Sequence, residues 1–557
     1  MSDNDSSRRE VLKRGALLTG ALVPGALATG VEASAARGPF DVRDFGGKGD
    51  GTTFDTAALQ GAIDACHAAG GGTVHVPAGT WLTKPFRLLS HVTLHLDAGA
   101  LVLGSPHLED YAVEGEDASG ESEREGVVTA RGAERVAIVG RGTIDGNALA
   151  FHDETTSHAP PDFDRRFVRQ GEDFMPDGEF FEHGPLAHGE RPGNLLRVFG
   201  CRDVLVHGVT IQNSPTWTSH YNDCENVTIE AIRINSDASG TMIPNDDGID
   251  IKGCRDVRIL ACDIDTGDDC IAIFGSERVS VTSCTLSTRS LGIRVGYTGG
   301  DIRDCVFTNL VIHRANRGLG VFVRGAGSVE NVIFSDIVLR TTLFTGHWWG
   351  KSEPIHVSAM LWDPEATTAG RIRNVTFSRI RAEGEAGVVV WGTPDNPIEN
   401  VLFDDVQLKV KRGPQSDAYG GNVDLRSAPT PEESLFGRDL PALLAKDVGR
   451  IRLRGFEVEW GEDVPAFFTH AVECEGFREL EVERFRGRQA QSTGSALRLV
   501  RGEDAVVRNS RATEGTDVFV ESRDVTGRAV LAGNDVRAAR TPTVPAGFGR
   551  RDRGPAR

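Results

Sequence analysis

Two short runs, "NDDGIDI" (residues 245–251) and "GDDCIAI" (residues 267–273), each set a pair of adjacent carboxylates directly before an apolar stretch of strand character. They match position by position at an offset of 22. If that offset is one coil of a stacked structure, Asp246 lies over Asp268 and Asp247 over Asp269, roughly 4.8 Å apart. Two unit charges about 5 Å apart at an effective dielectric near 20 repel by about 3 kcal/mol, or about two pKa units. All four carboxylates are then uncomfortable as ions at neutral pH. One keeps a proton while others stay charged, which is the condition for general acid–base chemistry. Two alternatives stand beside this. The acids could be Asp-rich turns, since Asp populates turns freely. With Asp250 they could also hold calcium, although calcium loops usually draw several ligands from one contiguous segment. The expectation adopted is no metal and no cofactor.

Carboxylates from two places in the chain need a scaffold that repeats. The phrases "CRDVLVHGVTI", "CENVTIEAIRI", "CRDVRILACDI", "SERVSVTSCTL", "VENVIFSDIVL", "IRNVTFSRIRA" and "IENVLFDDVQL" each give a polar turn followed by short alternating strands. Their starts at Val204, Val227, Val257 and Val279 are 23, 30 and 22 residues apart. Short strands at this spacing, without an intervening helical pattern, predict an all-β stacked solenoid, a right-handed parallel β-helix. The spacing also predicts columns Ile249–Ile271–Ile293 and Ile251–Ile273–Val295. A β-sandwich is the rival fold, but it would not repeat one phrase in register. "DTAALQGAIDACHAAGG" (residues 55–71) has helical spacing, with Asp55 or Thr56 as N-cap and Gly70-Gly71 as stop, and is expected to cap the open end of the solenoid.

Composition narrows the function classes. A net charge of −19 argues against nucleic acid or an anionic membrane surface as partner. Residues 1–35 read as a twin-arginine export signal, with Arg8-Arg9, a short apolar run rich in small residues, and "ASA" as cleavage site. The mature protein is therefore expected outside the cell, free of the membrane and monomeric. Residues 36–540 are expected to form one catalytic β-helix, with long insertions near 150–190 and 426–447, and 541–557 to form a flexible tail. The nine cysteines fall mostly at apolar repeat positions and read as buried thiols.

At this point the chain resembles glycoside hydrolase family 28, the polygalacturonases and rhamnogalacturonases. The resemblance rests on "RP" (191–192), "NSPTWTSH" (213–220), "NDDGIDI", "CDIDTGDDCIAI", "RGLGVFVR" and "VENVIFSDI" in order, and covers about residues 38–410. It implies an exported glycosidase that inverts configuration in pectin-type polysaccharide. Asp268 would be the general acid, and Asp247 and Asp269 would jointly activate water. The family's usual His is absent at Ser290-Leu291-Gly292, and its Arg-Ile-Lys element is absent near Gly320-Val321-Phe322. Arg294, Arg324 and Lys351 are the cations expected to hold a substrate carboxylate instead. Asp246 is expected to stand among the substrate-binding residues and to raise the pKa of Asp268, and Trp217, His220, Trp348 and Trp349 to contact sugar. A polysaccharide lyase on the same fold and a non-catalytic carbohydrate-binding β-helix remain the alternatives.

Overall fold

The computed structural model describes residues 39–112, 124–157, 163–175, 185–236 and 243–545. The expected export signal and the last residues of the expected tail lie outside this set. The unit from Pro39 onward is a parallel β-helix. Its strands pair in parallel from coil to coil, so each coil's backbone bonds are completed by its neighbours.

The columns foreseen from the sequence are present. Val204, Val227, Val257 and Val279 are successive register partners. Ile249, Ile271 and Ile293 pair in turn, as do Ile251, Ile273 and Val295, all buried. The repeated phrase has a stereochemical cause. Its turn residue is left-handed at Asp203, Asn226, Asp256, Asn331, Asn374 and Asn400, with φ between 55° and 59°. Asn and Asp tolerate that conformation better than other side-chain-bearing residues.

Two internal ladders tie the coils together. Phe307, Phe334, Phe377 and Phe403 stack with ring centroids 4.8, 5.1 and 5.1 Å apart. On another wall the amides of Cys201 and Cys224 donate to the sulfurs of Cys224 and Cys254 at 3.4 and 3.3 Å. All nine cysteines are free and buried, as expected of small apolar residues.

The helix Thr56–Ala68 buries Ala58, Leu59, Ala62, Ile63 and Cys66 against the first strands. Asp55 precedes it but gives no side-chain cap; its carboxylate accepts from the amides of Lys48 and Gly49 instead. Among the described residues of the first insertion, His152–Ser157 and Leu186–His188 form a small antiparallel ribbon. The second insertion falls earlier than expected. The strand Glu399–Val410 ends before it, and Leu443–Trp460 is already back in the stack. Weakening of the repeat phrase beyond residue 410 hid this return. The stack continues to Ala539–Val544, so residues 541–544 belong to the solenoid and not to a tail.

Candidate active site

The turns preceding Ile249–Lys252 and Ile271–Phe274 bring three carboxylates together. One oxygen from each of Asp247, Asp268 and Asp269 lies within 4.8 Å of the others. The backbone beneath them is pinned. The Asp247 carbonyl accepts from the amide of Thr218, and the Asp269 carbonyl from that of Gly248. The Asp268 carbonyl accepts from the hydroxyls of Thr266 and Thr288. Gly267 is required here, because a Cβ would lie 2.6 Å from the Ile243 carbonyl and 2.8 Å from the Asp246 carboxylate.

Asp246 does not reach the cleft. It is wholly buried, and its two oxygens accept from the amides of Gly267 and Asp268 at 2.9 and 2.7 Å. It fixes the turn that carries Asp268, and the expectation that it touches substrate is corrected. Its charge also contributes less to the Asp268 carboxyl than burial and Asp269 do.

Asp268 is shifted as an acid should be. Burial first, and then the charge of Asp269, push it up to about 8 against the opposing pull of Arg294. Burial also raises Asp247, helped by Asp250, Asp268 and Asp269. Arg294 is the counter-charge. Its Nε lies 2.8 Å from Asp269 and its terminal nitrogen 3.4 Å from Asp247. Burial would lower the guanidinium's pKa, but these carboxylates raise it instead. The register explains the reach, since Arg294 pairs with Ala272 on one side and Gly320 on the other. Two small neighbours leave a long side chain room to fold over the turns.

Asp247 and Asp268 face a cleft of about 750 Å³, while Asp269 is wholly buried behind them and accepts from the Ser290 hydroxyl and the Leu291 amide. The cleft wall includes Asp247, Asp268, Arg294, Trp217, Phe274 and Leu291. The Trp217 and Phe274 rings are stacked at 6.1 Å, and Arg294 lies 4.8 Å over the latter. Trp349 also lines the cleft.

Four other expected contacts are corrected by burial. His220 is fully buried beneath Trp217, at 5.1 Å edge to face, and accompanies Asn194. Burial lowers its pKa to about 3, so it is a neutral support for the indole. Arg324 is wholly buried and donates to the carbonyls of Val323, Ser358 and Leu425. Trp348 is buried, while its neighbour Trp349 is half-buried. Lys351 is buried with its ammonium on the Gly350 carbonyl, and burial, then Arg426, lower it to about 8.

Three cations that the sequence reading missed reach the cleft wall, Lys252 exposed and Arg317 and Arg426 as buried as Lys351. Lys252, Arg317 and Arg426 line the cleft with Arg294. Arg317 is held by Glu353 at 3.0 and 3.2 Å, and Arg426 by Asp424 at 2.8 and 2.9 Å. Burial would raise both acids, yet the arginines hold Glu353 at about 2 and Asp424 well below the ordinary carboxylate range. Arg426 also lies 4.8 Å over the Trp349 ring. Arg317 stood in the quoted run "RGLGVFVR", a signal that was available. Arg426 belongs to the second insertion, where nothing in the repeat pattern pointed to the site. Arg191 was noted only as a motif; it donates to the Pro244 carbonyl and the Asn245 side chain at 2.9 and 2.7 Å, bracing the first acidic turn.

Residues 179–426 match the family described as "Glycosyl hydrolases family 28". Residues 40–98 match "Rhamnogalacturonase A/epimerase, pectate lyase-like". A "Probable polygalacturonase" of Vitis vinifera is 26% identical over 425 residues, covering 70% of this chain and 79% of that protein. An exo-poly-alpha-D-galacturonosidase of Dickeya chrysanthemi is 26% identical over 252 residues, 42% of this chain and 41% of that protein. Among solved structures, an exopolygalacturonase from Thermotoga maritima superposes with TM-score 0.52 at 26% identity, covering 66% of this chain and 86% of that one. A family 28 exopolygalacturonase from Yersinia enterocolitica gives TM-score 0.54 at 20% identity, covering 80% and 78%, and supports the fold. With an acidic trio on adjacent coils of a parallel β-helix and these relatives, the chain is a polygalacturonase-like glycoside hydrolase, its residues 179–426 similar to family 28.

Proposed function

We propose that this enzyme is exported and hydrolyses pectin-type polysaccharide, polygalacturonan or rhamnogalacturonan, with inversion at the anomeric carbon. The observation that carries the reading is a raised, cleft-facing Asp268 beside an Arg294-clamped pair, in a cleft edged by further cations. Asp268 donates its proton to the leaving glycosidic oxygen. Asp247 and Asp269, sharing Arg294, accept the proton of the attacking water. Lys252, Arg317 and Arg426 attract the uronate carboxylates, and Trp217 and Trp349 offer flat faces to sugar rings. The nearest oxygens of the trio, within 4.8 Å, are closer than the roughly 6.5–9.5 Å carboxyl separation usual for inversion. The water is therefore assigned to a position beside the Asp247–Asp269 pair, held by both. Export rests on the leader sequence alone, and a monomer suffices because every proposed group comes from one chain.

The test is reducing-end release from polygalacturonan, esterified pectin and rhamnogalacturonan by wild type and Asp268→Asn, with the first-formed anomer read by proton NMR. Release by the wild type only, with an inverted product, is expected. A retained anomer would overturn the mechanism. An ultraviolet-absorbing unsaturated product would mark elimination in place of hydrolysis. No release from any of the polymers would overturn the substrate class.

A further inference from the structure

A second cluster of chemically capable side chains lies on the first coils, outside the cleft. Asp41, His75 and His95 are successive register partners on three adjacent strands. Asp97 follows His95 by two residues and comes to the same side. His75 Nε2 is 2.9 Å from one Asp97 oxygen, and His95 Nδ1 is 3.5 Å from the other. The imidazole rings lie 5.9 Å apart and 23° from parallel.

This arrangement is poorly explained as a set of hydrogen bonds. One carboxylate serves two imidazoles, and the His95 approach is longer than a good N–H···O bond. Two stacked imidazoliums would also repel each other. The separations suit a metal edge better. Ligand atoms about 2.0–2.1 Å from a tetrahedral zinc stand roughly 3.3 Å apart. The 2.9 Å from His75 to one Asp97 oxygen is near that edge, and the 3.5 Å from His95 runs to the other oxygen of the same carboxylate. The three ligand atoms, one each from His75, His95 and Asp97, all lie within 4.8 Å of one another.

The far side of His75 is built as metal-ligating histidines are. Its Nδ1 faces Asp41 at 3.3 Å, which fixes the tautomer and leaves Nε2 turned toward Asp97. Asp41 is in turn gripped by Arg43 through Nε and a terminal nitrogen, at 2.9 and 2.6 Å. That grip holds Asp41 in place beside His75, an orienting group and not a ligand. His75, His95 and Asp97 are partly exposed, so an ion can enter and a water can complete the coordination.

We propose that His75, His95 and Asp97 form a binding site for a divalent transition-metal ion of the zinc class, oriented by Asp41. The ion clips the Gly72–Val76 and Val92–Leu96 strands together near the start of the solenoid. Counting along the ladder of pairs from Val92–Leu96 through Glu134–Gly140, Arg202–His207 and Glu225–Glu230 to Arg255–Leu260, the catalytic coil is four steps away. At about 4.8 Å per step, the site is roughly 19 Å from the reaction centre along the axis, so its role is structural.

The test uses tag-free full chain, stripped with chelator and titrated with zinc sulfate by calorimetry, with cobalt(II) absorption as a spectroscopic probe. Wild type should take up one equivalent in the micromolar range or tighter and melt at a higher temperature with zinc than without. His95→Gln should lose at least about 100-fold in affinity, and Asp41→Asn about 10–100-fold, as outer-shell changes do. Asp268→Asn should bind as wild type, which separates this site from the cleft. Metal-free melting points of the variants verify that each is folded. Absence of zinc uptake by stripped wild type, or uptake that survives His95→Gln, overturns the assignment.

Discussion

Replacing Arg294 by Gln tests the electrostatics of the trio most directly. The guanidinium stands 2.8 Å from Asp269 and 3.4 Å from Asp247, with a side chain only 18% exposed. At an effective dielectric near 20 those contacts amount to about 6 and 5 kcal/mol of Coulomb attraction, before the cost of desolvating the partners. Removing one member of a buried ion pair costs about 3–5 kcal/mol net. Arg294 lowers both Asp247 and Asp268, so its loss moves their pKa values further up. The base pair then holds its proton to higher pH. The acidic limb of kcat/KM should move alkaline by at least one pH unit, each unit being about 1.4 kcal/mol. On polygalacturonan near pH 5, kcat/KM should fall by about 10³, the equivalent of roughly 4 kcal/mol. Partial recovery is expected as pH rises. If Arg294→Gln raised KM alone and left the pH profile in place, the clamp argument would be refuted, leaving Arg294 only a ligand of substrate carboxylate.

Four further outcomes follow from the same geometry. Because the proposed role of Asp268 needs its proton and its pKa is raised to about 8, kcat/KM should fall as pH climbs through that value, and Asp268→Asn should lose at least about 10³-fold in rate with unchanged circular dichroism. The folded state holds the Asp268 proton that the unfolded chain releases above 3.8, so its contribution to stability declines as pH rises from 3.8 to about 8; Asp268→Asn should therefore raise Tm most at pH 8 and above. Burial lowers Lys351 from 10.5 to about 8, which penalises the fold in full below pH 8; Lys351→Met should raise Tm at neutral pH, with the gain fading toward 10.5 and KM unchanged. Asp246→Asn can accept only one of the two amides now bonded to the carboxylate, so it should cost about 1–3 kcal/mol by denaturant titration.

What could be read in advance was what repeats. The Val204–Val279 and Ile249–Ile293 columns were legible because one coil fixes the register of the next, and a one-residue slip would expose the apolar face. The convergence of Asp247, Asp268 and Asp269 followed from the same offset. Orientation off the repeat was not legible. Trp348 and Trp349 are neighbours in sequence, yet one is buried and the other meets the cleft. Lys351 and Arg324 sit where nearby carbonyls and the second insertion cover them. Arg426 reaches the site only because that insertion folds back, its guanidinium on the Trp348 carbonyl. No local propensity encodes a contact across 78 residues.

The cleft thus has two owners. The three clustered carboxylates stand on the turns that lead into paired strands in the middle of the stack, where each coil is held from both sides. Trp349 and Arg426 come from connecting segments that the stack does not need in order to close its hydrogen bonds. Rewriting those segments changes which sugar is gripped without disturbing the proton machinery. A fold built this way can change the glycan it grips by editing its loops, while the proposed proton-transfer centre stays where the coils put it.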